Sequence, residues 1–205
     1  KDKTYLLVER YDRFHDEGHL KRLHQEDFCQ ALGVPPQFKY QNEGGPTIVD
    51  GFSLLRKVTS PSAPNVLRLL DYIIFNTLVG NNDAHGKNFS LLYSQRGIQL
   101  APLYDVLSTA AYSDLSDKMA MKIGSKYRFD ELHARHWVQM AESAQLGAPQ
   151  LKRRVLEIAD ELPHLAKGLQ ARFESKGWGH PIIAKIVTLI EERCAITTKR
   201  FSLAE

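Results

Sequence analysis

Asp83, Asn88 and Asp105 are the residues of this sequence whose types and spacing could do chemistry together. Asp83 and Asn88 stand in a D-x-x-x-x-N register within a polar stretch that also holds His85, Gly86 and Lys87, and Asp105 follows after two short apolar runs. Two carboxylates and an amide oxygen, with no cysteine among them, suit a hard cation such as magnesium, which takes oxygen ligands. The same groups could orient a hydroxyl and offset developing negative charge. An Asn/Asp/Gly-rich loop taken alone is most often a turn, because these residues tolerate left-handed backbone and bond to it locally. Chemistry therefore requires the three residues to meet.

The elements around them supply the means. Residues 89–93 and 98–101 are apolar runs separated by Ser94-Gln95-Arg96-Gly97, a pattern that predicts a β-hairpin with a four-residue turn. A hairpin brings the residue before its first strand close to the residue after its second. Asn88 and Asp105 should then share its open end, with Asp83 in the preceding loop. Residues 65–79 give the strongest helical signal. Val66, Leu69, Leu70, Ile73, Ile74 and Leu78 form a broad apolar face, with Arg68 and Asp71 on the polar side and Gly80 as the stop.

Elsewhere the patterns are shorter. Residues 4–9 read as a strand. An apolar strand so early, with few partners elsewhere, implies that something N-terminal to it is missing. Residues 24–32 read as a helix with Glu26-Asp27 in its first turn and Gly33 as its cap. Residues 35–64 read as irregular apart from a helical turn at 52–58. Gly44-Gly45-Pro46 is a turn and not a phosphate loop, since no strand-to-helix framework with a following Lys-Ser/Thr surrounds it. Residues 108–117 read as a surface loop and 118–123 as a strand. Helical patterns then cover 130–144, 149–162, a stretch with Leu165, Leu169 and Phe173, and the chain from Pro181 onward.

At 205 residues, 43% hydrophobic and 25% charged, the composition is that of one soluble globular domain or one large lobe. A formal charge of +3 is too slight to argue for nucleic acid by itself. Lys126, Arg128, Arg135, Lys152, Arg153 and Arg154 could still form a phosphate-binding patch, although a solvated helix face is the simpler reading. Cys29 and Cys194 have no metal-ligand spacing and fit a reducing cytoplasm. No long charge-free apolar run or signal-peptide pattern occurs, so no membrane association is expected. His133 and His136 could share a metal, but two histidines on an exposed amphipathic helix explain the spacing as well.

Protein kinases use the D-x-x-x-x-N register, followed across a hairpin by a second Asp. Beyond that register, VERYDR at 8–13, LHQEDFCQALG at 23–33, KYQNEGGP at 39–46, NDAHGKNFS at 82–90 and LAPLYDVLS at 100–108 give the chain a resemblance to a family. It resembles the HipA-like serine/threonine kinases, toxin components of bacterial toxin–antitoxin modules, over nearly its whole length and in the same order. The resemblance implies an α+β, mainly α fold: a protein-kinase-like C-terminal lobe with a short catalytic hairpin. Residues 1–13 would be the last strand of the N-lobe and the inter-lobe linker, and 14–205 the helical C-lobe, the rest of the N-lobe being absent.

By the same resemblance Asp83 is the catalytic base, His85, Gly86, Lys87 and Asn88 face ATP, and Asn88 and Asp105 ligate Mg2+. Glu9, Arg10 and Tyr11 would hold adenine and ribose, and the Tyr104 ring would pack on the nucleotide. The implied function is transfer of the ATP γ-phosphate to a serine or threonine of a protein, with a HipB-like helix-turn-helix antitoxin as partner and DNA reached through it. The family's glycine-rich loop, strand lysine and regulatory serine lie upstream of the VERYD-like segment and do not occur in this chain. A small-molecule phosphotransferase and a catalytically silent binding module are the alternatives.

Overall fold

A computed structural model describes residues 7–203. In chain order the elements are β1 (Arg13–Asp16), β2 (His19–Arg22), β3 (His24–Asp27), α1 (Phe28–Ala31), α2 (Ile48–Val58) and α3 (Ser62–Val79). There follow β4 (Ser90–Ser94), β5 (Gly97–Leu100), β6 (Lys118–Ile123), β7 (Lys126–Arg128), α4 (Ala134–Ser143), α5 (Ala148–Ser175) and α6 (Pro181–Ser202). The architecture is mixed, with helices predominating and three small antiparallel sheets: β1-β2, β3-β4-β5 and β6-β7.

Helix α3 is central because its sequence is apolar around most of its circumference. Val66, Leu69, Leu70, Ile73, Ile74 and Leu78 are all buried. They pack in one core with Phe52 and Leu55 of α2, Leu91 and Leu100 of the sheet, Trp137 of α4, Val155 of α5 and Ile190 of α6. The expected hairpin is present: Leu91 pairs with Leu100 and Ser94 with Gly97. Gly80 ends α3 at φ +77°, a left-handed conformation in which an added Cβ would lie 2.9 Å from both Ala110 Cβ and Leu189 Cδ2. The chain can turn from α3 into the Asn81–Asn82–Asp83 loop there because this residue has no side chain.

Several expectations need correction. Residues 24–27 are a strand, not the first turn of a helix, because β3 pairs with β4 from His24↔Tyr93 to Asp27↔Ser90. The helix is the single turn α1, which Asp27 caps by accepting from Gln30 N at 2.9 Å. Residues 35–64 are not mostly irregular: Thr47 caps the eleven-residue α2, with Asp50 closing a reciprocal capping box. The two helical stretches on either side of Pro163 are one 28-residue helix, α5. Ala159, Leu162 and Ala166 are buried on both sides of the proline, so packing holds the helix together across the missing N–H. Lastly, 108–117 is not all surface, since Thr109–Ala111 is a 3-10 turn whose Thr109 and Ala111 are buried.

Of the strand expected at 4–9, residues 4–6 lie outside the described residues. Leu7, Val8 and Glu9 carry no strand, and Leu7 is 87% exposed. At the other boundary, α4 starts at Ala134 because Phe129–Glu131 forms a separate 3-10 turn.

Gly80→Ala should destabilise the fold by about 1–3 kcal/mol through strained backbone and overpacking. Urea denaturation measures this, and a loss below about 0.5 kcal/mol, the range of a neutral surface change, would show that the junction is not tightly packed.

Candidate active site

The hairpin brings its two ends together as its register requires. Asn88 Nδ2 donates to Asp105 Oδ2 at 2.7 Å, across the open end. Asn88 is 5% exposed, and its Oδ1 accepts from His85 N at 3.0 Å, so both ends of the amide are fixed. Asp105 is accessible, and its backbone lies at φ +55°. Few residues without a glycine's freedom adopt that conformation, Asp and Asn being among those that tolerate it, and it turns the carboxylate back toward Asn88.

Asp83 is held from another direction. Tyr40 Oη donates to Asp83 Oδ1 at 2.8 Å, while Oδ2 lies 3.9 Å from His85 Nε2. Its side chain is 46% exposed. Burial, reinforced by the hydrogen bond to Asp83, pushes the Tyr40 phenol up to about 12, so it stays protonated and donates at neutral pH. Tyr40 sits before the 3-10 turn Gln41–Glu43, and this segment is tied to the loop by Gly86 N donating to Lys39 O at 3.3 Å. A Cβ on Gly86 would come 2.8 Å from Pro46 Cγ and 3.0 Å from Cys29 Sγ, so the loop closes on Pro46 only with glycine there.

Asn81 joins the two carboxylate-bearing segments. Its Nδ2 donates to Asn76 Oδ1 at 2.8 Å and to Asp105 O at 3.3 Å, and its Oδ1 accepts from Asp83 N at 3.2 Å. Asn76 belongs to a polar row on α3, Asn65-Arg68-Tyr72-Asn76, at the three- and four-residue spacing of one helix face. Asn65 Oδ1 accepts from Leu100 N at 2.8 Å, Arg68 Nη1 donates to Leu100 O at 3.3 Å, and Tyr72 Oη donates to Ala101 O at 3.3 Å. The otherwise apolar α3 thus grips the segment leading to Asp105. Sequence reasoning missed Tyr40, Asn76 and Asn81. Tyr40 stood within the KYQNEGGP segment, and the helical spacing of the α3 row was the available signal for Asn76.

The remaining expected residues divide. Tyr104 lies against the hairpin base, its hydroxyl donating to Lys87 O at 2.5 Å and hydrogen-bonded to Ser90 Oγ at 2.6 Å. Burial raises its phenol pKa. Tyr11 stands beside it, ring centroids 6.1 Å apart, and donates to Gln25 Oε1 at 2.8 Å. Glu9 is exposed, and Arg10 forms a two-bond pair with the buried Asp12 at 2.9 Å rather than reaching the loop. His85 is buried edge-on to Tyr40, whereas Lys87 is half-buried.

The pair His133 and His136 is not exposed as a unit: His136 is buried and its Nδ1 accepts from His133 N at 3.0 Å. Of the basic residues, Arg154 binds Asp71 at 2.6 and 3.0 Å, Arg153 pairs with Glu157, Lys126 with Glu131 and Arg128 with Asp117. Much of that charge is spent on carboxylates. No described helix is long and apolar enough to cross a membrane.

A family model described as the HipA-like C-terminal domain matches residues 1–167. Over 159 residues the chain is 55% identical to the protein named "Putative kinase Y4mE" of Sinorhizobium fredii, covering 77% of this chain and 38% of that protein. It is 32% identical over 171 residues to the serine/threonine-protein kinase toxin HipA of Shewanella oneidensis, covering 77% of this chain and 39% of the relative. Among solved structures, a Shewanella oneidensis complex of HipA, HipB and operator DNA matches with a TM-score of 0.80 at 27% identity, over 95% of this chain and 49% of that one. The chain thus spans less than half the length of these relatives.

Burial, reinforced by nearby Lys39, lowers the His85 pKa against the opposing pull of Asp83. The fold then favours neutral His85, and its contribution to stability is full above the unfolded value of about 6.5 and lost as pH falls through the lower folded value. An NMR titration should place the His85 midpoint below about 6.5; a midpoint at or above that value would contradict the buried, neutral ring.

Proposed function

The chain belongs to the HipA-like C-terminal domain family, and on that premise we propose that it is the catalytic lobe of an ATP- and Mg2+-dependent serine/threonine kinase. The observation that carries the reading is the closed hairpin end, where Asn88 and Asp105 meet at 2.7 Å beside the loop bearing an accessible Asp83.

Asp83 acts as the base. Tyr40 anchors Oδ1 and leaves Oδ2 to receive the proton of an acceptor hydroxyl. The hydroxyl oxygen forms a bond to the γ-phosphorus, the bond to the bridging oxygen of the β-phosphate breaks, and ADP leaves. Little covalent work falls to the protein; positioning and charge do most of it.

The donor set fits a magnesium ion. Such sites use one or two carboxylates, with waters and substrate phosphates filling the rest of the shell, so a cluster of acids is not required. Asp105 Oδ2 is engaged by Asn88 while its Oδ1 remains available, and Asn88 Oδ1 has a second lone pair beyond its bond to His85 N. When bound, the ion would offset charge on the phosphates; Asn88 and Asp105 are the residues that would hold it. Tyr11 and Tyr104, side by side, would form an aromatic wall for the nucleotide, with Glu9 and Arg10 next to it in the sequence.

The Shewanella relative is a toxin, and its structure holds HipB and operator DNA. A HipB-like antitoxin, with DNA reached through it, is the corresponding partner proposed here, within the bacterial cytoplasm. The two cysteines, Cys29 and Cys194, are buried and free, consistent with that compartment.

In the full-length coding product, Asp83→Asn should lower phosphoryl transfer to protein by about 10²–10⁴-fold while ATP affinity holds. Transfer at the wild-type rate would remove Asp83 from the role of base. Asp105→Asn keeps a side chain that tolerates the left-handed backbone, so the fold should survive while Mg2+-dependent nucleotide binding is lost. Unchanged binding by calorimetry would refute the metal role.

A further inference from the structure

Asp83 lies in the wall of a cavity of about 650 Å³, lined also by Tyr40, Asn82, Leu107, Leu115 and Met119. Whatever fills this cavity meets the Asp83 carboxylate, so its chemistry bears on the acceptor. Its volume lies within the range of about 300–1,000 Å³ typical of binding pockets and far exceeds what one hydroxyl-bearing side chain needs.

Beside polar residues such as Asn42, Glu43 and Lys118, the cavity has an apolar side. Leu107 and Leu115 are each 51% exposed, on the segment that runs from Asp105 to β6, and Met119 and Ala120 of β6 line the cavity with them. Two half-exposed leucines facing a cavity gain from apolar surface, and a polyol offers little of it. The segment is held in place: Thr109 Oγ1 accepts from Asn82 N at 2.8 Å and donates to Gly80 O at 3.2 Å, and Ala120 N donates to Asn82 O at 2.7 Å. Asn82 Nδ2 is spent on Ser116 O at 3.0 Å, which fixes the amide orientation and leaves Oδ1 as a buried acceptor without a partner.

We infer that this cavity receives the acceptor as an extended polypeptide, with the serine or threonine hydroxyl at Asp83 and a large apolar side chain of a neighbouring residue between Leu107, Leu115 and Met119. The inference rests on the kinase reading above and names its substrate class: a peptide segment with an apolar residue flanking the phosphorylated one, in place of a small polyhydroxylated molecule. The transfer step is the one already written, with the proton passing to Asp83.

The test uses the full-length coding product with Mg-ATP, a library of serine-centred peptides varied at flanking positions, and a panel of sugars and aminoglycosides. The wild type should select Leu, Ile, Met or Phe at one flanking position. Leu115→Asp should raise the peptide KM by about tenfold, the effect of losing about one apolar contact, without changing the KM for ATP. Tyr112→Asp is the control, since Tyr112 is 48% exposed on the same segment and does not line the cavity; its peptide KM should match the wild type. Peptide transfer with no apolar preference, or an unchanged KM for Leu115→Asp, overturns the inference while leaving the kinase reading intact; faster transfer to the sugars overturns the inference together with the protein-directed reading. A wild type that transfers phosphate to none of the acceptors overturns both.

Discussion

The position of both carboxylates depends on one buried amide. Asn81 is 4% exposed, and its side chain makes three hydrogen bonds: to Asn76 on the central helix, to the Asp83 backbone N–H and to the Asp105 carbonyl. A buried amide left unpaired costs about 1–3 kcal/mol, so Asn81 is satisfied only when α3, the loop and the exit of β5 sit at one mutual arrangement. A network of this kind rigidifies when complete and is costly when any member is lost. It holds the backbone at φ +55° at Asp105, a conformation that such surroundings must enforce.

The same constraint explains why an otherwise apolar helix carries a polar row. Asn65, Arg68 and Tyr72 bind backbone groups of Leu100 and Ala101, so the end of the hairpin is fixed to α3 before the chain reaches Asp105. On the other side of the sheet, β3 and the cap of α1 hold β4 in place. Phe28 N donates to Phe89 O at 2.9 Å, and Tyr93 Oη donates to Glu26. The acidic pair Glu26-Asp27 therefore has two separate tasks: Glu26 receives a phenol from the hairpin, and Asp27 starts α1. Neither task is the helix-dipole role that the pair's spacing first indicates.

The parts of the fold legible in the sequence were those governed by local rules. The hairpin followed from two apolar runs and a turn, the long helix from its apolar face, and its end from Gly80. Their juxtaposition of Asn88 with Asp105 followed from hairpin geometry alone. What was not legible depended on distant partners. Residues 24–27 carry a helix-like pattern but pair as a strand, because β4 offers an edge that local propensity does not register. The helical pattern over 149–162 and the stretch with Leu165, Leu169 and Phe173 form one helix, because buried Ala159, Leu162 and Ala166 carry α5 through Pro163. Tyr40 lies 43 residues from Asp83 in sequence, and no periodicity links them. The motifs KYQNEGGP and LHQEDF marked where such contacts would fall, without the chemistry that explains them.

The two carboxylates are held by different devices. Asp83 is steadied at its side chain by Tyr40, from a segment braced on Gly86 and on β6, where Lys122 N donates to Gln41 Oε1 at 2.9 Å. Asp105 is steadied by Asn88 at its side chain and by Asn81 at its backbone. The Asn81 side chain bonds main-chain atoms of both segments, so it ties them together without engaging either carboxylate. That leaves one Asp83 oxygen and one Asp105 oxygen without a hydrogen bond from the described residues. Under the proposed kinase reading, a site arranged this way would handle the acceptor hydroxyl and the phosphate charge at separately held carboxylates, which side-chain substitution can perturb independently.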